Sequence, residues 1–150
     1  MVTENTEKIQ ACIDELIAKY GCERVMYLLH AVSDVTRVSH IKMIKAYILF
    51  IVSNYYDLTI NEVVHGTNRE CTGAKKVAMY LLKEEGLSLR EIGELFNGLG
   101  KSRVHAHIKD ISSWVETGLY KDIQEQVSVV TGQLQKFKSH LQNTFFYDRN

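Results

Sequence analysis

The chain of 150 residues contains no proline, so nothing in it ends or kinks a helix for want of a backbone N–H. Gly/Ser-rich stretches, low-complexity tracts and blocks of like charge are absent too, which excludes a compositionally marked linker or solvated tail. Lys and Arg number 18 against 18 Asp and Glu, so no whole-chain field draws it toward phosphate. Three widely spaced cysteines, Cys12, Cys22 and Cys71, form no C-x-x-C pair, and the first residues carry no basic-then-apolar leader. A reducing cytoplasm is the expected setting. The apolar run Tyr47 to Val52 follows Lys42 and Lys45 and reaches Ser53-Asn54, far short of the ~20 residues of a membrane span. It reads as a core helix. With 45% hydrophobic residues, one all-α domain with helical extensions is expected, with no membrane partner.

Catalytic signatures are missing as well. No paired carboxylates, no nucleophile with its base and no dinucleotide fingerprint can be read from the residues, so neither an enzyme nor a cofactor is expected. Gly98-Leu99-Gly100-Lys101-Ser102 imitates the end of a phosphate-binding loop, but that motif needs a glycine where this chain has Leu95 and a strand where it reads as helix. His105 and His107, two residues apart on one helix, point about 200° away from each other and cannot grip one metal ion.

What is present is a pattern from Ala74 to Ile111. Val77, Ala78, Leu81 and Leu82 recur at the three-and-four spacing of a buried helical stripe, which the charged Lys83-Glu84-Glu85 and Gly86 close. Ser88-Leu89-Arg90-Glu91 has the form of a capping box, in which the hydroxyl accepts from the third N–H and the carboxylate returns to the serine N–H. A second helix carries Leu89, Ile92 and Phe96 inward and ends at Asn97-Gly98-Leu99-Gly100, residues suited to a tight reversal. Ser102 is expected to cap a third helix with Val104, Ile108 and Ile111 as its core stripe. At about 100° per residue, Ser102, Arg103, Ala106 and Lys109 then face outward, with His105 beside them and His107 at the stripe's edge. This is a helix-turn-helix. Between Gly66 and Lys109 eight Lys/Arg meet five acids, and from Phe96 to Lys109 no acid occurs. That local field suits a phosphate backbone.

The same residues resemble the DNA-binding helix-turn-helix domain at the C-terminal end of the bacterial replication initiator DnaA, a tryptophan-repressor-like fold. The likeness lies in Ala74-Lys75-Lys76-Val77-Ala78-Met79-Tyr80-Leu81 and in Ser88-Leu89-Arg90-Glu91-Ile92-Gly93-Glu94-Leu95-Phe96, and it extends upstream through Ile48 to Val64, where a tyrosine pair precedes a threonine-started turn. The resemblance implies binding to double-stranded DNA. It also implies that Arg69, Lys75 and Lys76, in a loop and helix start from Val64 onward, meet the backbone and minor groove. Around the recognition-helix start the family typically has Arg, Asp, His, Ser and Thr, where this chain has Leu99, Gly100, Lys101, Ser102 and Arg103. Only the serine is kept, so the initiator's own target is not expected. Base reading falls to Lys101, Arg103 and His105, with Arg or Lys favouring guanine.

Three pieces follow: residues 1–38 as an N-terminal helical extension, 39–115 as the DnaA-like domain and 116–150 as a long amphipathic helix. The first holds two helices broken at Gly21, striped by Ile9, Ile13, Leu16, Ile17 and Tyr20 and by Val25, Leu28, Leu29 and Val32. In the last, Tyr120, Ile123, Val127, Val130, Leu134, Phe137 and Leu141 alternate spacings of three and four, the a/d pattern of a coiled coil. The stripe either pairs with a second copy, making a homodimer, or folds back onto the N-terminal pair. The expected function is a cytoplasmic, nucleoid-associated bacterial regulator of transcription or replication without ATPase activity. The alternatives are a helical protein-interaction module and an accessory DNA-binding module of a phage or mobile element.

Overall fold

The computed structural model describes residues 2–33 and 40–145, with side chains from 3 to 31 and from 41 to 139. Among them are eight α-helices: α1 (Val2–Tyr20), α2 (Cys22–Ser33), α3 (His40–Tyr55), α4 (Ile60–His65), α5 (Arg69–Glu84), α6 (Leu89–Leu95), α7 (Lys101–Thr117) and α8 (Lys121–Phe145). The described residues contain no strand, so the architecture is the all-α one expected.

α3 is the hub. Ile44, Ile48, Leu49, Phe50, Ile51 and Val52 are all buried, so the helix is apolar nearly all round, as a helix enclosed on several sides must be. α2, α4, α5 and α8 pack on it. The apolar run that could suggest a membrane is therefore the centre of the core, and none of the described helices is long and apolar enough to cross one.

The N-terminal pair is held to this hub by polar contacts. Gly21, at φ +88°, supplies the left-handed step between α1 and α2. From α2, the Arg24 guanidinium, 14% exposed, donates to the carbonyls of Tyr20 (2.9 Å), Ser53 (3.1 Å) and Leu58 (2.9 Å) and to Ser53 Oγ (3.2 Å). Ser53 and Leu58 belong to the end of α3 and the turn after it, where carbonyls lack helical partners. Glu23 accepts from the Ile60 N–H at 2.9 Å. Arg24→Ala is expected to destabilise the fold by about 2–4 kcal/mol, since it removes charged hydrogen bonds and strands buried acceptors. Arg24→Lys should recover only part of this because an ammonium lacks the planar fork. Urea unfolding of the three proteins checks both.

The stripe expected to bury α1 does so only in part. Ile13, Ile17 and Tyr20 are half-buried, whereas Ile9 is 61% and Leu16 43% exposed, and on α2 Leu29 is 41% exposed beside the buried Val25. The reason is topological: α1 packs on α2 and on little else. Val32's side chain lies outside the described residues.

Of the two alternatives left open for α8, the structure shows packing within the chain. Val127, Val130 and Leu134 are buried in the same core cluster as α3 and α5, with Ile123 and Phe137 packed against its edge. Phe137 stacks on Tyr47 of α3 with centroids 3.8 Å apart. The Tyr56 hydroxyl, whose pKa burial pushes up, donates to Gln126 Oε1, and Lys138 pairs with Glu85 at 3.0 Å. The helix folds back, but onto α3 and the end of α5 rather than onto the N-terminal pair. Three side chains of the expected dimer seam are thus spent within one chain. The side chain of Leu141 lies outside the described residues. α7 runs past the expected boundary at residue 115 to Thr117 and stops at Gly118 in a left-handed conformation (φ +63°), so the third piece shares the core of the second.

Candidate nucleic-acid interface

The helix-turn-helix is α5, α6 and α7. Val77, Ala78, Leu81 and Leu82 of α5, Ile92 of α6 and Val104, Ile108 and Ile111 of α7 meet in the core, the stripes that the spacing predicts. The capping box at α6 is formed in full: the Glu91 N–H donates to Ser88 Oγ (3.2 Å) and the Ser88 N–H to Glu91 Oε2 (2.8 Å). That backbone hydrogen bond, with the serine hydroxyl, holds the Glu91 carboxyl below its ordinary pKa.

Gly93 sets the angle between α6 and α7. Its carbonyl accepts from the N–H groups of Phe96 (3.1 Å) and Leu99 (3.0 Å), and a Cβ at this position would lie 2.1 Å from the Leu99 carbonyl oxygen. Asn97 and Gly98 follow with φ of +59° and +70°, the left-handed steps expected of the turn. The glycine in the middle of α6 is therefore required by a backbone crossing it, not by its own conformation.

One expectation fails at the start of α7. Ser102 does not cap the helix. Gly100 occupies the cap position with extended backbone (φ −64°, ψ 150°) and no side-chain hydrogen bond, and the helix begins at Lys101. Asn97 and Gly98 complete the reversal early enough that Gly100 can take the extended step, which makes Ser102 the second residue of the helix, exposed to solvent. The first intrahelical bond runs from the Val104 N–H to the Gly100 carbonyl at 3.1 Å. The N–H groups of Lys101, Ser102 and Arg103 are consequently left without helical acceptors. They sit at the positive end of a 17-residue helix with no acid in its first turn.

Lys101, Ser102, Arg103, His105, Ala106 and Lys109 are all exposed, and they form one surface on the first half of α7. Lys101, Arg103 and Lys109 make no hydrogen bond or ion pair among the described residues. His107 is half-buried at the edge of the stripe. Burial, with the charge of Lys76 next, lowers its pKa below the ordinary histidine value, so the imidazole is neutral at pH 7 and adds no fixed charge to the face. Among the described residues no group of His, Cys, Asp and Glu is placed to hold a metal ion.

The basic residues upstream are placed differently from the expectation. The stretch from Val64 to Gly73 is the end of α4, a link at Gly66-Thr67-Asn68 and the start of α5 rather than one continuous loop: Asn68 caps α5 by accepting from the Cys71 N–H at 2.8 Å, and buried Cys71 and Ala74 carry the stripe of α5 back by a turn. Arg69 is the first residue of that helix, exposed and free of hydrogen bonds and ion pairs. Lys75 instead donates to the Gly66 carbonyl at 3.0 Å. Lys76, 18% exposed, pairs with Asp110 of α7 at 2.7 Å and lies 5.1 Å from the centre of the Trp114 ring. These two ammonium groups, expected on phosphate, are engaged within the chain, and Lys76 ties α5 to α7. Sequence reading missed Asp110 and Trp114 in this role. The four-residue step from Asp110 to Trp114 can be read along α7, but a pairing across to Lys76 has no local signature.

Comparison with known proteins agrees with this geometry. Residues 46–111 match the family model described as the bacterial dnaA protein helix-turn-helix. That stretch folds as an all-α helix-turn-helix similar to this family's, and it covers α4, α5, α6 and most of α3 and α7. One relative to which the chain is similar is the chromosomal replication initiator protein DnaA of Corynebacterium jeikeium (strain K411), at 32% identity over 104 residues, 67% of this chain. The chain spans 17% of the length of that relative.

Proposed function

We propose that the protein binds double-stranded DNA and acts as a nucleoid-associated regulator of transcription or replication, by occupying a site rather than by hydrolysing nucleotide with these residues. The observation that carries this reading is the first half of α7, where exposed and unpaired Lys101, Arg103 and Lys109 surround a helix start without acids. A helix in the second position of a helix-turn-helix enters the major groove by its N-terminal residues. Free N–H groups there donate to a phosphate oxygen, aided by the helix dipole. Arg103 and Lys101 reach base edges, with guanine O6 and N7 as the matching acceptors. Arg69, one helix away and unpaired, contributes a backbone contact. Lys75 and Lys76 support the frame.

Two substitutions separate base reading from backbone contact. Arg103→Ala is expected to weaken binding to a selected duplex by about 1–3 kcal/mol and to relax preference at one base pair. Arg69→Ala should weaken all duplexes alike and reduce the salt slope by about one unit. Selection from random duplex DNA, followed by gel-shift titration at two salt concentrations, measures both. Equal affinity of the parent and both variants for every duplex would refute the reading.

A further inference from the structure

Beside the helix-turn-helix, the first turns of α5, the second half of α7 and the start of α8 enclose an open cleft of about 820 Å³ that the duplex reading uses only at Arg69. Its size lies within the range of small-molecule sites, roughly 300–1,000 Å³. One wall is aromatic: Trp114 and Tyr120 meet edge to face, with centroids 5.4 Å apart and planes at 62°. Tyr120 is 54% exposed, and Leu119 next to it 77%. Large apolar side chains in an interhelical connection gain nothing from such exposure unless something covers them. Cations line the cleft as well: Lys76, already paired with Asp110, lies 5.1 Å from the centre of the Trp114 ring, which leaves the ring's other face and Tyr120 for a ligand. Arg69 and Lys121 line the cleft and make no hydrogen bond or ion pair among the described residues. Each stands at the first residue of a long helix, α5 or α8, whose first turn also holds an acid, Glu70 or Asp122, so the cationic character rests on the two side chains rather than on the helix ends.

We infer that this cleft binds a nucleotide unit, with the base against Trp114 and Tyr120 and the phosphate between Arg69 and Lys121. A planar ring with a neighbouring anion satisfies both halves of the cleft. Stacking on aromatic side chains tolerates any base, as every base has a π-face, and guanidinium and ammonium groups together suit phosphate. Asp122, also in the lining, supplies an acceptor for a sugar hydroxyl or an exocyclic amine. A free mononucleotide and a single-stranded nucleic acid share this chemistry. The inference goes beyond duplex recognition and rests on Trp114, Tyr120 and Lys121, which duplex recognition leaves aside. Arg69 serves both and is left out of the test.

Trp114 is the chain's one tryptophan, so its emission reports on the cleft. The full chain is titrated with AMP, with oligothymidylate of about eight nucleotides, and with inorganic phosphate. Saturable quenching is expected from AMP or from the oligomer, half-complete at or below about 1 mM, with phosphate alone inert. AMP binding identifies a free nucleotide as the source, and binding of the oligomer alone identifies single strands; either supports the inference. Lys121→Gln and Tyr120→Leu should each weaken it by about tenfold or more, while helix content by circular dichroism and duplex affinity stay at parent values. Arg103→Ala should keep the quenching and lose duplex affinity, which separates failure of one site from failure of the other. No saturable change with either nucleotide probe, the same change with phosphate as with AMP, or parent affinity in both cleft variants would overturn it.

Discussion

Gly93→Ala is expected to lower stability by about 3 kcal/mol or more and to cost most of the duplex affinity, although residue 93 has no place on the exposed face. The methyl group would sit 2.1 Å from the Leu99 carbonyl oxygen, well inside van der Waals contact. A flexible side chain could swing aside, but the obstacle is backbone. Overpacking a tight interior typically costs about 1–3 kcal/mol, and more where nothing can yield. Relief requires Leu99 to move, and Leu99 is followed at once by Gly100 and the start of α7. Its N–H is also hydrogen-bonded to the Gly93 carbonyl at 3.0 Å, so displacement loses that bond as well. The first half of α7 would be re-aimed, which separates this variant from Arg103→Ala: one base-edge contact is lost there, and the whole surface shifts here. Thermal unfolding followed by circular dichroism and gel-shift titration of the same preparation checks the two effects. A variant with parent stability and parent affinity would show that α6 can part from the turn without strain.

That glycine marks how far the sequence was legible. Periodicity found the main buried stripe of α5, α6 and α7, because three-and-four spacing is a local property of the chain, but not Met79, which is fully buried off the α5 stripe; the Ser88 box was readable since both its partners lie within four residues. The early start of α5 had a readable signal that was passed over: Asn68 ahead of Cys71, Ala74 and Ala78 is an N-cap followed by the same stripe. The cap of α7 was misassigned because serine is the better capping residue by propensity, while the reversal at Asn97 and Gly98 had already placed Gly100 at the junction. What sequence could not show were pairings across distance. Lys76 with Asp110, Arg24 with Ser53 and Leu58, and Lys138 with Glu85 join residues from 29 to 53 positions apart, and each assigns a charge to the frame that composition alone would leave on the surface. Of the expected DNA-facing residues, Lys75 and Lys76 moved to the frame for this reason, while those of α7 and Arg69 remain exposed.

The same limit governs the largest stability effect. A heptad stripe declares that a helix buries one face, and leaves open against what. In α8 the face is turned to α3, with Val130 wholly buried, Leu134 2% exposed and Val127 7%. Each such side chain contributes about 1.5–3 kcal/mol when buried, and an unpaired carboxylate in its place adds the cost of bringing a charge out of water. Val130→Asp with Leu134→Asp is therefore expected to remove more stability than a domain of this size holds, about 5–15 kcal/mol. The helical signal should fall for the whole chain, since α8 shares its core with α3 and α5 and has no separate unit to melt. Were the stripe an intermolecular seam, the pair of substitutions would instead leave a folded monomer and halve the mass of the parent. Circular dichroism of the variant and light scattering of the parent at tens of micromolar distinguish the outcomes. A well-folded double variant of half the parent's mass would return α8 to the role of a dimer seam and require the packing of Val130 and Leu134 on α3 to be replaced by packing on a second copy.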